Sequence, residues 1–302
     1  PSDYIDSRTE YNATSLGVQY LATTNGNTVT NNIVTAGVGG TISPTPYLLL
    51  EPAATNYFLN ASVPATQTIA LTAGTYTITV VGSGSITLSD GATGTVTSAA
   101  PLTFTTTGST IFTKTGSLTR VQVEAGSKAS SFIPTSGTAA SRSADGLYTA
   151  SSAGTNFDQT NGIILMKFLP NYSEAETSAT PILSVGTITA SPSPTGYSVT
   201  DGTATINSVN TYLTSGTLEY LAICWDAQDA QMAVAASNDG ITWNTWHLAA
   251  YDGSMVLPTN IEWFRSNPFI NKLYSCRMYK TPNKTLHQAQ LWVEANAVVE
   301  MS

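Results

Sequence analysis

The chain is expected to be an all-β protein, and three observations lead there. Its polar positions are filled by Thr, Ser, Asn and Gly, while charged residues make up only 10% of its 302 positions, against roughly 25% in ordinary soluble domains. Apolar residues contribute 41%, enough to bury a core, whereas a disordered chain of low hydrophobicity would be rich in charge. Short β-prone runs recur about every ten residues with Gly or Pro in the gaps, the spacing of sandwich strands.

In chain order, residues 1–46 are the least regular. "NGNTVTNNIVTAGVGGTISPTP" is rich in Gly, Asn and Pro and has no steady period. It reads as an extended arm, either disordered or ordered by docking on another subunit. The opening "PSDYIDSRTEY" has neither the basic stretch nor the apolar stretch of a secretory signal. From Tyr47 the character changes, with the apolar run "YLLLEPAATNYFLNAS". Over 47–137 the strands are "QTIALTA", "TYTITVVG", "SITLS", "TVTS", "LTFTTTG", "STIFTKTG" and "LTRVQVEAG". In the second, Tyr76, Ile78 and Val80 share one face and Thr75, Thr77 and Thr79 the other, which predicts a buried face and a wet one. The whole reads as a small jelly-roll-like β-sandwich. Its last strand runs into "VQVEAGSKASSFIPTSG", in which Phe132-Ile133-Pro134 is expected to pin the chain back on that sandwich.

Residues 138–302 read as a second sandwich. "GIILMKFLP" is a nearly continuous apolar strand, followed by "PILSVG", "GYSVTDGTATINS", "TLEYLAICWD", "AQMAVAASNDGITWNTWHLA", "IEWFRS" and "NKLYSCRMYK". One helix is expected, in "TPNKTLHQAQLWVEANAVV": Leu286, Gln290 and Val293, and also Ala289, Leu291 and Val298, recur at helical spacing, with Thr281 or Asn283 as its cap. Packing of this helix over a sandwich edge would account for Trp292. Cys224 and Cys276 both fall in strands, either as small buried residues or as a single bridge.

Composition also excludes function classes. A net charge of −8, with 11 basic residues and no basic run, excludes nucleic acid as a partner. No apolar run approaches the roughly 20 residues of a membrane-spanning helix. His247 and His287 are the only histidines, so a multi-histidine metal site is excluded, and no cofactor or metal is expected. Neither a G-x-S-x-G elbow nor a Ca²⁺-loop spacing around Asp201, Asp226 or Asp229 is present. The acids Glu219, Asp226, Asp229, Asp239, Asp252 and Glu262 are numerous enough for glycoside hydrolysis, yet no spacing selects a pair. No catalytic residue is assigned and a non-enzymatic protein is expected.

"SNDGITWNTW" holds the one candidate binding surface. It resembles the sialidase Asp-box, S-x-D-x-G-x-T-W, but is one residue short. Asn238-Asp239-Gly240 reads as a hairpin turn with Gly supplying positive φ. The alternative is a glycan-binding surface in which Trp243, Trp246 and Tyr251 present rings beside Asp239 and Asn244. Strand alternation would send Trp243 and Trp246 to opposite faces.

Two resemblances add to these readings. Leu48–Asn56, the Thr-rich strands and "RVQVEAGSKASSFIPTSGTAASRSAD" resemble a module of structural proteins of tailed bacteriophages. In that family an LLLEPQRTN-like opening leads into a sandwich that leaves through QLEAG, TSYIPT and RAAD segments. Leu48–Asn56 match the opening except at Ala53 and Ala54, where the family often has Gln-Arg. Glu124–Gly126, Ser131–Thr135 and Arg142–Asp145 match the exit. "LYTASSAGTNFDQTNGIILMKF", "LEYLAICWDAQDAQMAVAASNDG" and "LYSCRMYKTPNKTLHQAQL" resemble concanavalin A-like (laminin G-like) sandwiches. Together they imply a virion component, either a capsid decoration or head fibre or a tail fibre, exposed on the particle surface. Its arm would hold other virion proteins, its sandwiches would adhere to host-surface glycans, and a homo-oligomer, with a trimer as the working expectation, would multiply weak sugar contacts. The alternatives are a depolymerase-type glycan-degrading enzyme and a secreted carbohydrate-binding module.

Overall fold

Alternating Thr and aliphatic residues produce strands along much of the chain, and among the described residues one helix follows the last strand. The structure, a computed structural model, describes residues 19–21, 30–32, 35–36, 41–42, 48–145, 147–150, 158–172, 180–209, 214–253, 255, 260–263, 271–281 and 284–301. Most of the expected arm lies outside these residues. Within it, β1 (Gln19–Leu21) pairs antiparallel with β2 (Thr30–Asn32), and β3 (Thr35–Ala36) with β4 (Thr41–Ile42). Two units follow: Ala53–Ser143, and a unit formed by the chain on either side of it. The strand β5 (Leu48–Leu50) belongs to that flanking unit, so the apolar run at Tyr47 does not open the inserted sandwich.

The inserted unit contains β6 (Ala54–Asn56), β7 (Gln67–Ile69), β8 (Gly74–Asp90), β9 (Gly94–Thr97), β10 (Leu102–Thr106), β11 (Thr110–Ala125) and β12 (Ala140–Arg142). Its main sheet runs β10-β8-β11-β7 with β9 also on β8, while β12 pairs with β6. The sequence runs read as separate strands around Gly82 and Gly116 are in fact two long strands of 17 and 16 residues. β8 changes partner along its length, from β10 at Gly74–Ile78 to β9 at Ser85–Leu88. Glycine is needed between these halves because the facing backbone is close. A Cβ on Gly84 would lie 2.3 Å from the Thr115 carbonyl oxygen, and one on Gly82 would lie 2.4 Å from that of Ser117. A bulge between Leu118 and Arg120 adds local twist. Phe58, Ile78, Ile86, Phe104, Phe112 and Val121 fill the core between the layers.

Part of the face expected to be wet is covered. Thr77, Gln122 and Glu124 are buried because the segment after β11 folds back over them. Gln122 accepts from the Ile133 N–H (2.6 Å) and donates to Glu124 and to the Ser130 and Ser131 carbonyls. Glu124 also accepts from the Ser130 N–H and hydroxyl. Asn56 donates to the Ile133 carbonyl (2.8 Å) and accepts from the N–H groups of Phe58 and Val123. Thr135 donates to the Phe58 carbonyl and accepts from the Ala61 N–H. Phe132-Ile133-Pro134 therefore does pin the chain back, with Ile133 buried and the Arg120 guanidinium 5.1 Å from the Phe132 ring centroid.

The flanking unit adds β13 (Leu147–Ala150), β14 (Asn161–Pro170), β15 (Leu183–Val185), β16 (Ile188–Ser193), β17 (Gly196–Thr200), β18 (Thr205–Val209), β19 (Glu219–Asp226), β20 (Gln231–Ser237), β21 (His247–Ala250), β22 (Asn260–Trp263), β23 (Asn271–Lys280) and α1 (Leu286–Glu300). They form two six-stranded antiparallel sheets, β13-β22-β15-β16-β17-β18 and β21-β20-β19-β14-β23-β5. Ile164, Met166, Phe168, Leu221, Ile223 and Trp225 of the second sheet share one core with residues of the first, among them Val185, Tyr197 and Val199. The fold is the expected all-β sandwich protein with a C-terminal helix.

The opposite face of the second sheet is equally apolar. Ile163, Leu165, Ala222, Cys224 and Ala233 pack there against Leu286, Ala289, Val293 and Ala297 of α1. The helix thus lies over β14, β19 and β20 and not over an edge, since every residue of β19 is buried and both of its faces need a cover. Its cap is Thr285 rather than Thr281 or Asn283, the latter outside the described residues. Thr285 and Gln288 form a reciprocal capping box. The Asp229 carboxylate accepts from the Leu286 N–H (2.8 Å), and Lys167 donates to the Met301 carbonyl (3.0 Å). Each charge sits at the end of the helix dipole that it complements. Cys224 faces α1 while Cys276 packs on the sandwich core, so the thiols lie on opposite faces and no disulfide joins them.

Three substitutions test the inserted unit. Gly84→Ala, which drives a methyl into the facing backbone, is expected to destabilise it by about 1–3 kcal/mol, whereas Val81→Thr at a half-exposed neighbour shifts it by under about 0.5 kcal/mol. Asn56→Ala strips buried backbone groups of their partner and is expected to cost about 2–4 kcal/mol. Urea midpoints at constant slope measure all three.

Candidate functional site

The connection from β20 to β21 is built around one carboxylate. Asp239 accepts from the N–H groups of Ile241 and Thr242, both at 2.7 Å, and from the Ser237 hydroxyl at 2.9 Å. Gly240 follows with φ of +74°, the left-handed conformation expected of it. The N–H groups of Thr242 and Ile241, with the Ser237 hydroxyl assisting against a small desolvation cost, hold the Asp239 carboxyl down at about 2. Asn244 extends the ladder past the end of β20: its side-chain oxygen accepts from the Ala236 N–H (2.8 Å), and its own N–H donates to the Ala236 carbonyl (3.0 Å). Asp239 and Asn244 are thus committed to shaping the turn.

This shape overturns the alternation argument for the tryptophans. Residues 238–246 are not a strand, so Trp243 and Trp246 come to the same side and stack, with centroids 6.2 Å apart and planes 12° from parallel. Both are half-buried against the cluster beneath α1. The Trp243 N–H donates to the Gly240 carbonyl (3.2 Å), and the Trp246 N–H donates to Glu294 of α1 (2.8 Å). Tyr251 does not join them. It is 1% exposed within the sandwich core, on the other side of the sheet, and its hydroxyl donates to the Gln159 carbonyl. Burial, with Asp201, Asp252 and Asp158 nearby, pushes that phenol well above its usual range.

The residues missing from the sequence reading come from α1. Leu291, Glu294 and Val298 follow the i, i+3, i+7 spacing of one helical stripe, and Glu294 is tied to Trp246. Leu291 is 50% exposed and Val298 41%. On the turn, Ile241 is 71% exposed and Leu248, on β21, 55%. Two apolar stripes on one helix were the available signal, since only one can face the sheet. The opposite flank of α1 is closed instead. There Trp292 meets Tyr279 edge-on at 4.8 Å, and Glu300 accepts from the Tyr279 hydroxyl (2.7 Å) and pairs with Arg277 at 3.3 Å.

The acids considered for catalysis have structural surroundings. Asp226 accepts from the N–H of Gln228 and Asp201 from those of Thr203 and Ala204, Asp229 meets the helix N-terminus, and Glu219 is fully buried. Among the described residues, no group of three or more His, Cys, Asp or Glu is placed to hold a metal ion, and no helix is long and apolar enough to cross a membrane.

No family model matches the chain, and no curated protein matches it. Among solved structures, a CBM40 module of a Ruminococcus gnavus sialidase bound to α2,3-sialyllactose is similar at 13% identity, over 48% of this chain and 95% of its own, with a TM-score of 0.30. A Lotus tetragonolobus seed lectin is similar at 15% identity, over 49% of this chain and 83% of its own, with a TM-score of 0.27. The extracellular region of zebrafish Gpr126 is similar at 10% identity, over 79% of this chain and 36% of its own, with a TM-score of 0.30.

The Asp239 turn carries a pH signature. Its folded pKa of about 2 lies below the ordinary 3.8, so its contribution is complete above about pH 4 and is lost as pH falls towards about 2. The melting-temperature gap between the natural chain and Asp239→Asn is therefore expected to be constant above about pH 4 and to narrow below it. The Asp239 carboxyl-carbon resonance should titrate over the same window.

Proposed function

We propose that this chain is a non-enzymatic structural component of a tailed-bacteriophage virion, and that its C-terminal sandwich adheres to host-surface glycans through the Trp243–Trp246 surface. One observation carries the glycan reading: two nearly parallel indoles, half-exposed and held by a rigid turn on one side and Glu294 on the other. Sugar rings offer C–H faces that stack on such rings, and a carboxylate beside them accepts hydroxyl hydrogen bonds. Rigid aromatics supply contact area with little loss of conformational freedom.

The virion assignment is supported by the phage-like opening and exit segments. Asn56, Glu124 and Thr135 lie in those segments and provide the buried hydrogen bonds that hold the strap after β11. An arm bound to neighbouring virion proteins and a trimeric assembly belong to the same proposal, because single-site sugar affinities are weak and display in several copies compensates. The surroundings of Asp201, Asp226, Asp229 and Asp239 favour binding over hydrolysis, since each carboxylate already serves a turn or a helix end.

Two measurements test this. Antibody against residues 147–302, imaged on purified particles, is expected to label heads or tails; particles without label would leave a free carbohydrate-binding module. Trp243→Ala and Trp246→Ala are each expected to reduce cell or glycan binding by about tenfold or more, as for loss of an aromatic anchor. Unchanged binding by folded variants would remove the surface from the proposal.

A further inference from the structure

The charge around the tryptophan pair bears on which sugars it accepts, an inference that rests on the glycan reading above. The surface is contributed by the turn and strand of Ser237–Ala250 and by α1. Neither segment contains a single Lys or Arg. Asp239 and Glu294 are both exposed there, and the turn's own N–H groups keep the Asp239 carboxyl ionised down to about pH 2. The chain as a whole carries −8. A sugar carboxylate or sulfate placed on the indoles would meet like charge, and neither of these two segments supplies a guanidinium or ammonium to pair with it. Burying a charge without a partner is costly, and recognition of carboxylates relies on paired Arg or Lys.

The uncharged part of the surface is apolar instead. Ile241 and Leu248 are exposed on the turn and its strand and Leu291 and Val298 on the helix, and the space next to Gly240 is bounded by Val298, whose Cγ2 would be 3.1 Å from a Cβ placed there. Such a wall suits a methyl substituent on the sugar, either the C6 methyl of a 6-deoxyhexose or the methyl of an acetamido group. We propose that this surface selects neutral glycans bearing methyl-containing sugars, and discriminates against sialylated, uronic or sulfated ones.

The test uses the full chain on printed glycan pairs that differ only by an acidic group. The pairs include N-acetyllactosamine with its 6-sulfated form; N-acetyllactosamine is also expected to outbind lactose, which lacks the acetamido methyl, and equal signals from those two would overturn the methyl preference. The expected result is at least about tenfold stronger signal for the neutral member, lost in Trp243→Ala. Leu291→Lys is expected to raise the acidic members relative to the neutral ones by about fivefold, through one added opposite charge. Equal or stronger binding of the acidic members, abolished by Trp243→Ala, would overturn the selectivity and leave the glycan surface standing. Binding to no glycan, or binding indifferent to both tryptophans, would overturn the glycan reading itself and this inference with it.

Discussion

The flanking unit depends on a sheet that is apolar on both faces. In β19 the odd-numbered Leu221, Ile223 and Trp225 point to the sandwich core, while Tyr220, Ala222 and Cys224 point away from it and are buried too. Water cannot cover either side at acceptable cost. One face is met by the other six-stranded sheet and the second by α1, whose contact residues Ala289, Val293 and Ala297 are small enough to sit close over Ala222 and Ala233. Complementary charges at its two ends, Asp229 and Lys167, hold the helix in that place.

The turn of Ser237–Trp246 lies at one flank of the helix. Its geometry comes from local hydrogen bonds: one carboxylate collecting adjacent N–H groups, a glycine in the left-handed region, and an asparagine acting as an extra rung of the ladder. The resemblance to an Asp-box is therefore one of mechanics. The turn positions rings and supplies no chemistry of its own. Asymmetry between the two flanks of α1 does the rest: Tyr279, Trp292, Arg277 and Glu300 close one, while the other carries the stacked indoles and exposed aliphatic side chains.

In the inserted unit the organising element is the strap after β11. Gln122 and Glu124 occupy strand positions that ordinarily meet solvent, yet each is buried and engaged by backbone of Ser130–Ile133. Buried polar groups of this kind are tolerable only when satisfied, and here side chains of β6 and β11 provide the partners. Asn56, Gln122, Glu124 and Thr135 thus act together as the lock of this module.

Much of this was legible from residue order alone. Alternation and apolar runs located strands between Gln67 and Lys280, helical spacing located the helix, and turn residues located the positive-φ glycine at Gly240 and the strap at Phe132-Ile133-Pro134, because each depends on neighbours a few residues away. Alternation failed at Gln122 and Glu124, at Trp243 and Trp246, and at Tyr251, where the deciding contact comes from distant or irregular chain. A hydrogen-bonded strap makes polar positions internal, a turn held by Asp239 cancels strand periodicity, and the core claims Tyr251. Glycines at Gly82 and Gly116 looked like strand ends because composition reports flexibility, and only the facing backbone 2–3 Å from a missing Cβ reveals close approach. The sequence by itself determined the class of fold and the candidate aromatic residues, through local periodicity and composition. Tertiary structure alone decided which rings meet, which acids are already engaged, and that a helix some 50 residues further along supplies the other wall, since burial of both faces of one sheet is a property of the packed molecule.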